Sequence, residues 1–169
     1  MTPSPSEWVL QWTASLAAQA TVLDVACGTG RHVRLLAARD CRVTAVDRDT
    51  VAIAALSGLP GVRALCADIE GGPWPFTGET FDAVLVTNYL HRPLFPALMA
   101  AVRPGGLLIY ETFMVGNERY GRPTNPDFLL RGNELRDVVA GFIELGFFEG
   151  AVQQPKPAMV QRLCARRPV

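Results

Sequence analysis

Four polar residues punctuate the first half of the sequence, each inside or at the end of a short apolar run: Asp24 in VLDV, Asp47 in VTAVD, Asp68 in ALCAD and Asn88 in AVLVTN. Carboxylates and carboxamides accept hydrogen bonds, which suits the hydroxyls, exocyclic amines and ammonium groups of a small polar ligand. Directly after the first run comes Cys27-Gly28-Thr29-Gly30-Arg31, with two glycines one residue apart. A glycine turn between a strand and a helix aims backbone N–H groups and the positive helix end at a ligand. A second group of candidates comprises Asn88, Tyr89, His91 and Arg92, followed by Glu111, Tyr120 and Arg122. Among them the imidazole of His91 is the side chain that ordinarily exchanges a proton near neutral pH; its plainer role is to cap the helix that follows. Glu111 closes an apolar strand, which suits a catalytic base, or else a salt bridge to Arg122 or Arg92. Arg122, with Arg119, either holds an anionic substrate by charge-assisted contacts or solvates a loop.

For these residues to meet, the apolar runs must be neighbouring parallel strands. The pattern predicts strands at 21–27, 42–47, 62–68, 81–88 and 107–112, with helices at 30–39, 49–57 and 93–102 between them and a Gly/Pro-rich loop at 71–80. Such alternation implies β-α-β crossovers and a doubly wound α/β sheet, three layers thick and Rossmann-like. Parallel strands line up their carboxyl ends, so Asp47, Asp68 and Asn88 converge on one cleft despite their separation in sequence. Each aspartate alone could simply cap a helix.

Ahead of this block, Ser4 and Glu7 have capping-box spacing, and Trp8, Trp12 and Leu16 follow on one face, predicting a leading helix from Ser4 to Ala20 within residues 1–20. After Thr112 the period is lost. Residues 113–132 are polar and rich in Gly and Pro, the pattern of a substrate-side loop. A helix from Asn133 to about Leu145 is expected next, then strands at 147–154 and 159–166 that pair antiparallel.

The 169 residues, about half of them apolar, suffice for a single domain over 1–169 with one sizeable core. Lys and Arg total 16 and Asp and Glu 16, with no basic run longer than two, so nucleic acid is not an expected partner. No run approaches a membrane span and no leader precedes the first apolar stretch, so a cytoplasmic monomer or homodimer acting on a small molecule is expected. Cys27, Cys41, Cys66 and Cys164 form no C-x-x-C pair, and with His32 and His91 far apart in sequence they read as buried reduced thiols with no metal.

Two templates compete for the glycine turn. A dinucleotide site wants a third glycine where this chain has Val33, and it leaves Asp24 unexplained. An S-adenosylmethionine site wants an acidic residue in the strand ahead of the turn, and Asp24 supplies it. In order and spacing, VLDVACGTGRH, VTAVDRD, CADIE, FDAVLVTN and VRPGGLLIYET resemble the successive motifs of class I S-adenosylmethionine-dependent methyltransferases over about residues 20–112. The resemblance implies seven strands, the last antiparallel, and S-adenosyl-L-methionine as cofactor. It assigns Asp24, Gly28 and Gly30 to the methionine portion, Asp47 to the ribose, Asp68 and Ile69 to adenine, and Asn88 to the neighbourhood of the methyl group. Ala26, where many members have glycine, and Arg48 complete the expected cofactor-binding set. His91, Glu111 and Asn88 are then the catalytic candidates, and Tyr89, Arg92, Tyr120 and Arg122 those for the substrate. The compact size and FLLRGNELRDVV look loosely like small tellurite-resistance-type members. A non-catalytic S-adenosylmethionine sensor and a nicotinamide-dependent oxidoreductase are the alternatives.

Overall fold

The computed structural model describes residues 2–169. Helix α1 (Glu7–Thr13) precedes β1 (Thr21–Val25), which leads through the glycine turn into α2 (Arg31–Ala37). Next come β2 (Arg42–Asp47), α3 (Thr50–Leu56), β3 (Val62–Cys66) and β4 (Phe81–Thr87). A 3-10 turn at Arg92–Leu94 runs into α4 (Phe95–Ala101) and β5 (Val102–Phe113); α5 (Glu134–Val138), β6 (Ile143–Val152) and β7 (Ala158–Arg166) follow. The sheet order is β3-β2-β1-β4-β5-β7-β6, with β1 to β5 parallel and β7 inserted antiparallel to both β5 and β6. The strand order reverses between β1 and β4, and that is where such a sheet opens a crevice at its carboxyl edge.

Alternation along the strands sorts the core into two layers. Val22, Ala83, Leu85, Leu107 and Ile109 pack with Val9 of α1 and Val33 and Leu36 of α2. Leu23, Val25, Val84, Val86, Leu108 and Tyr110 pack with Leu98 of α4 and Leu135 of α5. Asp24 lies between Leu23 and Val25, and Glu111 follows Tyr110, so both belong to the α1 face.

The structure departs from the sequence pattern at identifiable places. The leading helix is shorter than Ser4 to Ala20, and its cap is Ser6, whose hydroxyl accepts from Trp8 N and Val9 N. Ser4 cannot serve, because its carbonyl accepts from Arg31 and the next amide but one, that of Ser6, donates to His32, contacts that hold the segment extended. Arg103 to Gly106, ahead of the strand expected at 107–112, lie inside β5 as a bulge, where the register with β4 jumps from Phe81–Val102 to Ala83–Leu107 and Gly105 has φ +79°. The helix expected to reach Leu145 stops at Val138. Gly141 takes φ +95°, and the residues from Ile143 onward are claimed by pairing with β7. A Cβ on Gly146 in β6 would collide with the Trp12 ring, so this glycine lets α1 lie on the sheet. β3 ends at Cys66, and as an edge strand it leaves that thiol exposed, unlike the buried Cys41 and Cys164.

Candidate functional site

After β1 the backbone turns left-handed at Ala26 (φ +53°), Gly28 (+55°) and Gly30 (+82°). Asp47 holds this turn from the end of β2: its Oδ2 accepts from Gly28 N at 2.8 Å while its Oδ1 accepts from Asp49 N at 2.9 Å. Asp24 takes no part in holding the loop; it is 1 % exposed with Oδ1 lacking any hydrogen-bond partner. Burial raises its pKa to about 8, against the pull of Arg31 and with a smaller push from Asp47. An unpartnered buried carboxyl is costly, and a cationic ligand group above it would meet that need. The turn has room for one: a Cβ on Gly28 would meet nothing within 4 Å. Gly30 is the opposite case, since a Cβ there would press on Leu56 of α3. Close approach of backbone to helix is therefore provided at Gly30, without a third glycine at Val33.

Beside the turn, a cleft of about 160 Å³ is lined by Ala26, Asp47, Arg48, Asp68, Ile69, Glu70 and Tyr89. Asp68 lies beyond the end of β3, and its Oδ1 accepts from Gly71 N at 2.9 Å and Glu70 N at 3.0 Å, bonds that lower its pKa. Oδ2 takes no part in them. Glu70 carried no mark in the sequence, although it adjoins the motif. Its Oε2 accepts from the Tyr89 hydroxyl at 3.0 Å, and its Oε1 lies 3.2 Å from His91 Nδ1. Burial, then the bond to Glu70, pushes the Tyr89 phenol upward. The Tyr89 carbonyl accepts in turn from the buried Tyr110 hydroxyl at 2.8 Å. His91 precedes the 3-10 turn without a side-chain cap bond. Asn88 is exposed at φ +53°, and its amide donates to the Glu111 carbonyl at 2.9 Å, extending the β4–β5 ladder past Thr87.

The remaining candidates separate. Glu111, 8 % exposed, pairs with Arg162 directly opposite on β7 rather than with Arg122 or Arg92, because the antiparallel register sets those two side chains together on one face. Arg92 turns to Glu134, with Nε to Oε2 at 2.7 Å and Nη2 to Oε1 at 2.9 Å, and also donates to the Asp127 and Leu129 carbonyls. Despite burial, which opposes it, the Arg92 bond holds the pKa of Glu134 below its usual value. Tyr120 and Arg122 are exposed on the 113–132 loop. The base of that loop is closed by buried Asn117, which accepts from Met159 N and donates to the Pro123 carbonyl, and by the Met114–Leu130 bridge. Asp47, Asp68, Ile69 and Tyr89 thus ring one crevice, and Asp24 is buried under the glycine turn beside it. Glu111 stands on the α1 face, and His91 and Arg92 stand with the residues of the α4 layer.

The N-terminal segment lies against the first turn of α2. Ser6 N donates to His32 Nε2 at 3.0 Å and Arg31 Nη1 to the Ser4 carbonyl at 3.0 Å. Burial, assisted by Arg31, lowers the His32 pKa to about 4, so the ring is neutral and free to accept. A wider, open hollow of about 560 Å³ lies at the opposite edge of the sheet, where β2 and β3 begin, and holds none of the candidates.

An acidic residue under a glycine turn, acidic residues after the next two strands and a 3-2-1-4-5-7-6 sheet define a methyltransferase domain, and the chain belongs to that family, whose model matches residues 22–106. The cofactor of the family is S-adenosyl-L-methionine. The chain is 36% identical over 102 residues to trans-aconitate 2-methyltransferase of Paracidovorax citrulli, an alignment that takes in 55% of this chain and 38% of that protein. It therefore spans well under half the length of that relative. In fold it resembles TehB from Haemophilus influenzae, with a TM-score of 0.83 at 19% identity over 98% of this chain and 63% of that one. It also resembles a TehB-like SAM-dependent methyltransferase from Corynebacterium glutamicum, with a TM-score of 0.69 at 19% identity over 95% and 86% of the two chains.

Proposed function

We propose that the chain binds S-adenosyl-L-methionine along the carboxyl edge of β1, β2 and β4 and directs its methyl group to a small-molecule acceptor. The observation that carries this proposal is Asp24, a buried carboxyl with an unpartnered oxygen beneath an open glycine turn. Asp24, Ala26, Gly28 and Gly30 take the methionine portion, with Asp24 receiving the ammonium group. Asp47, after its two backbone bonds, keeps a lone pair on each oxygen for the ribose hydroxyls. Asp68 keeps Oδ2 for the adenine amine, Ile69 and Tyr89 flank the base, and Arg48 rims the cleft.

Bound there, the cofactor would supply a methyl group on a sulfonium, the S–CH3 bond breaking in line with the acceptor so that sulfur keeps the electron pair as a neutral thioether. The protein holds donor and acceptor in line and excludes water. Asn88 borders the reacting end. His91, with Nδ1 on Glu70, keeps Nε2 for a proton when the acceptor is a hydroxyl or an amine, and a thiolate needs no base. The loop carrying Tyr120 and Arg122 covers the acceptor. The relative's name specifies a carboxylic acid for that protein, so small acids are the first acceptors to try here. The four cysteines are free, in keeping with a cytoplasmic setting.

Calorimetric titration with S-adenosylhomocysteine tests the cofactor site. Asp47→Ala removes a charged acceptor of two hydroxyls, each bond worth about 1.5–3 kcal/mol, so affinity is expected to drop about a hundredfold or more. Tight NADH binding with no response to S-adenosylhomocysteine would overturn the proposal. Labelled cofactor with a panel of acids, thiols and hydroxyl compounds tests transfer; binding without transfer to any of them would favour a sensor.

A further inference from the structure

We propose that Arg162, held by Glu111, anchors an anionic oxygen group, a carboxylate, on the methyl acceptor. The inference rests on the methyl-transfer proposal and adds which face of the sheet receives the acceptor. Arg162 stands opposite Glu111 in the β5–β7 ladder with its Nε against Oε2. Among the described residues neither of its Nη atoms makes a hydrogen bond, so the outer edge of the guanidinium keeps its donors. The side chain is 19% exposed, largely withdrawn from water yet reachable. Phe148, its partner on β6, sets its ring centre 5.6 Å from the guanidinium carbon, and an apolar neighbour strengthens any charge contact made there. Arg92, by contrast, has Nε and both Nη atoms engaged.

The position suits an acceptor. Glu111 is level with Thr87, and its carbonyl takes the Asn88 amide where β4 ends. Strand alternation puts Glu111 and Arg162 on the face shared by Asp24. Asp24 is level with Leu85 and Ile109, so Glu111 lies two strands across and two residues further along, about 10 Å by 7 Å from strand geometry. Arg162, one strand beyond Glu111, is about 14 Å by 7 Å from Asp24, which leaves room for the reacting centre between an ammonium on Asp24 and an acid on Arg162. Glu111 is a positioning residue: by taking Nε it determines which edge of the guanidinium is left for the acceptor.

The test is calorimetry on the protein loaded with S-adenosylhomocysteine, titrated with succinate, tricarballylate and the neutral succinamide. At least one acid is expected to bind where succinamide does not. Arg162→Met should weaken the acid at least tenfold and Arg162→Lys should restore part of the loss, with S-adenosylhomocysteine affinity within twofold throughout. Glu111→Gln, which removes the counter-charge but keeps the volume, should tighten acid binding and slow transfer, a split that loss of a merely structural bond would not produce. Acid affinity unchanged in Arg162→Met, or no acid bound by the loaded wild type, overturns the anchor and leaves the cofactor proposal standing. Failure of S-adenosylhomocysteine itself to bind overturns both.

Discussion

Cofactor binding is expected to expel a proton from Asp24. With its pKa raised to about 8, the carboxyl is about nine-tenths protonated at pH 7. An ammonium group seated on the unpartnered oxygen requires the ionised form, so the proton must leave as the ligand arrives. Well below that pKa each pH unit costs about 1.4 kcal/mol of binding, and with the group already half protonated at pH 8 affinity should fall about fiftyfold from pH 8 to pH 6. Titration calorimetry with S-adenosylhomocysteine in two buffers of different ionisation heat counts the protons: about 0.9 released per site at pH 7 and about half that near pH 8. Asp24→Asn should bind more weakly, release no proton and show a flat pH profile. The same shift sets the sign for the unliganded protein. The folded pKa lies above the reference 3.8, so the stability contribution is intact below about pH 4 and declines as pH rises through about 8. Asp24→Asn should therefore melt above wild type at pH 8 and lose that advantage at pH 4. Wild-type binding with no proton release and level affinity from pH 6 to 8 would refute the assignment of an ammonium to Asp24.

His32 is shifted the other way, from 6.5 to about 4, so its contribution is present above pH 6.5 and is lost as pH falls towards 4, a change of about 3 kcal/mol. Emission from Trp8 and Trp12 should shift over that range as Ser6 loses its acceptor, and His32→Leu should abolish the shift. Arg92→Ala strands the buried Glu134 and frees the Asp127 and Leu129 carbonyls; about 3 kcal/mol of stability should go, with protease cleavage appearing between residues 119 and 132. Gly30→Ala combines φ +82° with pressure on Leu56 and should cost about 1–3 kcal/mol, seen as a lower melting temperature.

The parallel strands and their polar ends were legible because burial on both faces writes continuous apolar runs, and a lone Asp24 inside one of them demands an explanation. Asp47 and Asp68 stand out as ligand residues by their place at strand ends, but the backbone bonds they accept, the one from Gly28 to Asp47 reaching across to another strand's turn, leave no trace in periodicity. Glu70 was missed although it adjoins the motif, because its partners Tyr89 and His91 come from another loop. Arg162 does carry a signal in the sequence: a charge in mid-strand between Gln161 and Leu163 must find a partner across the ladder, and Glu111, itself a charge at the end of an apolar strand, is that partner. The helix expected from Asn133 starts there but stops at Val138 rather than near Leu145, for a tertiary reason. Residues from Ile143 onward form a ladder with β7, and a chain pattern does not announce that competition before the register is known.

The seven-residue α1 is too short to persist alone, since isolated helices need roughly 12–15 residues to be even marginal in water. It is held by Trp8 Nε1 on the Leu163 carbonyl, by Trp12 over Gly146 and by Ser6 on His32. Any shortened version of the chain that begins after Thr13 would therefore lose more than a terminal turn. It would uncover Ile109, Cys164 and the Gly146 surface as a continuous greasy strip beside the edge strand β6, a surface that invites self-association.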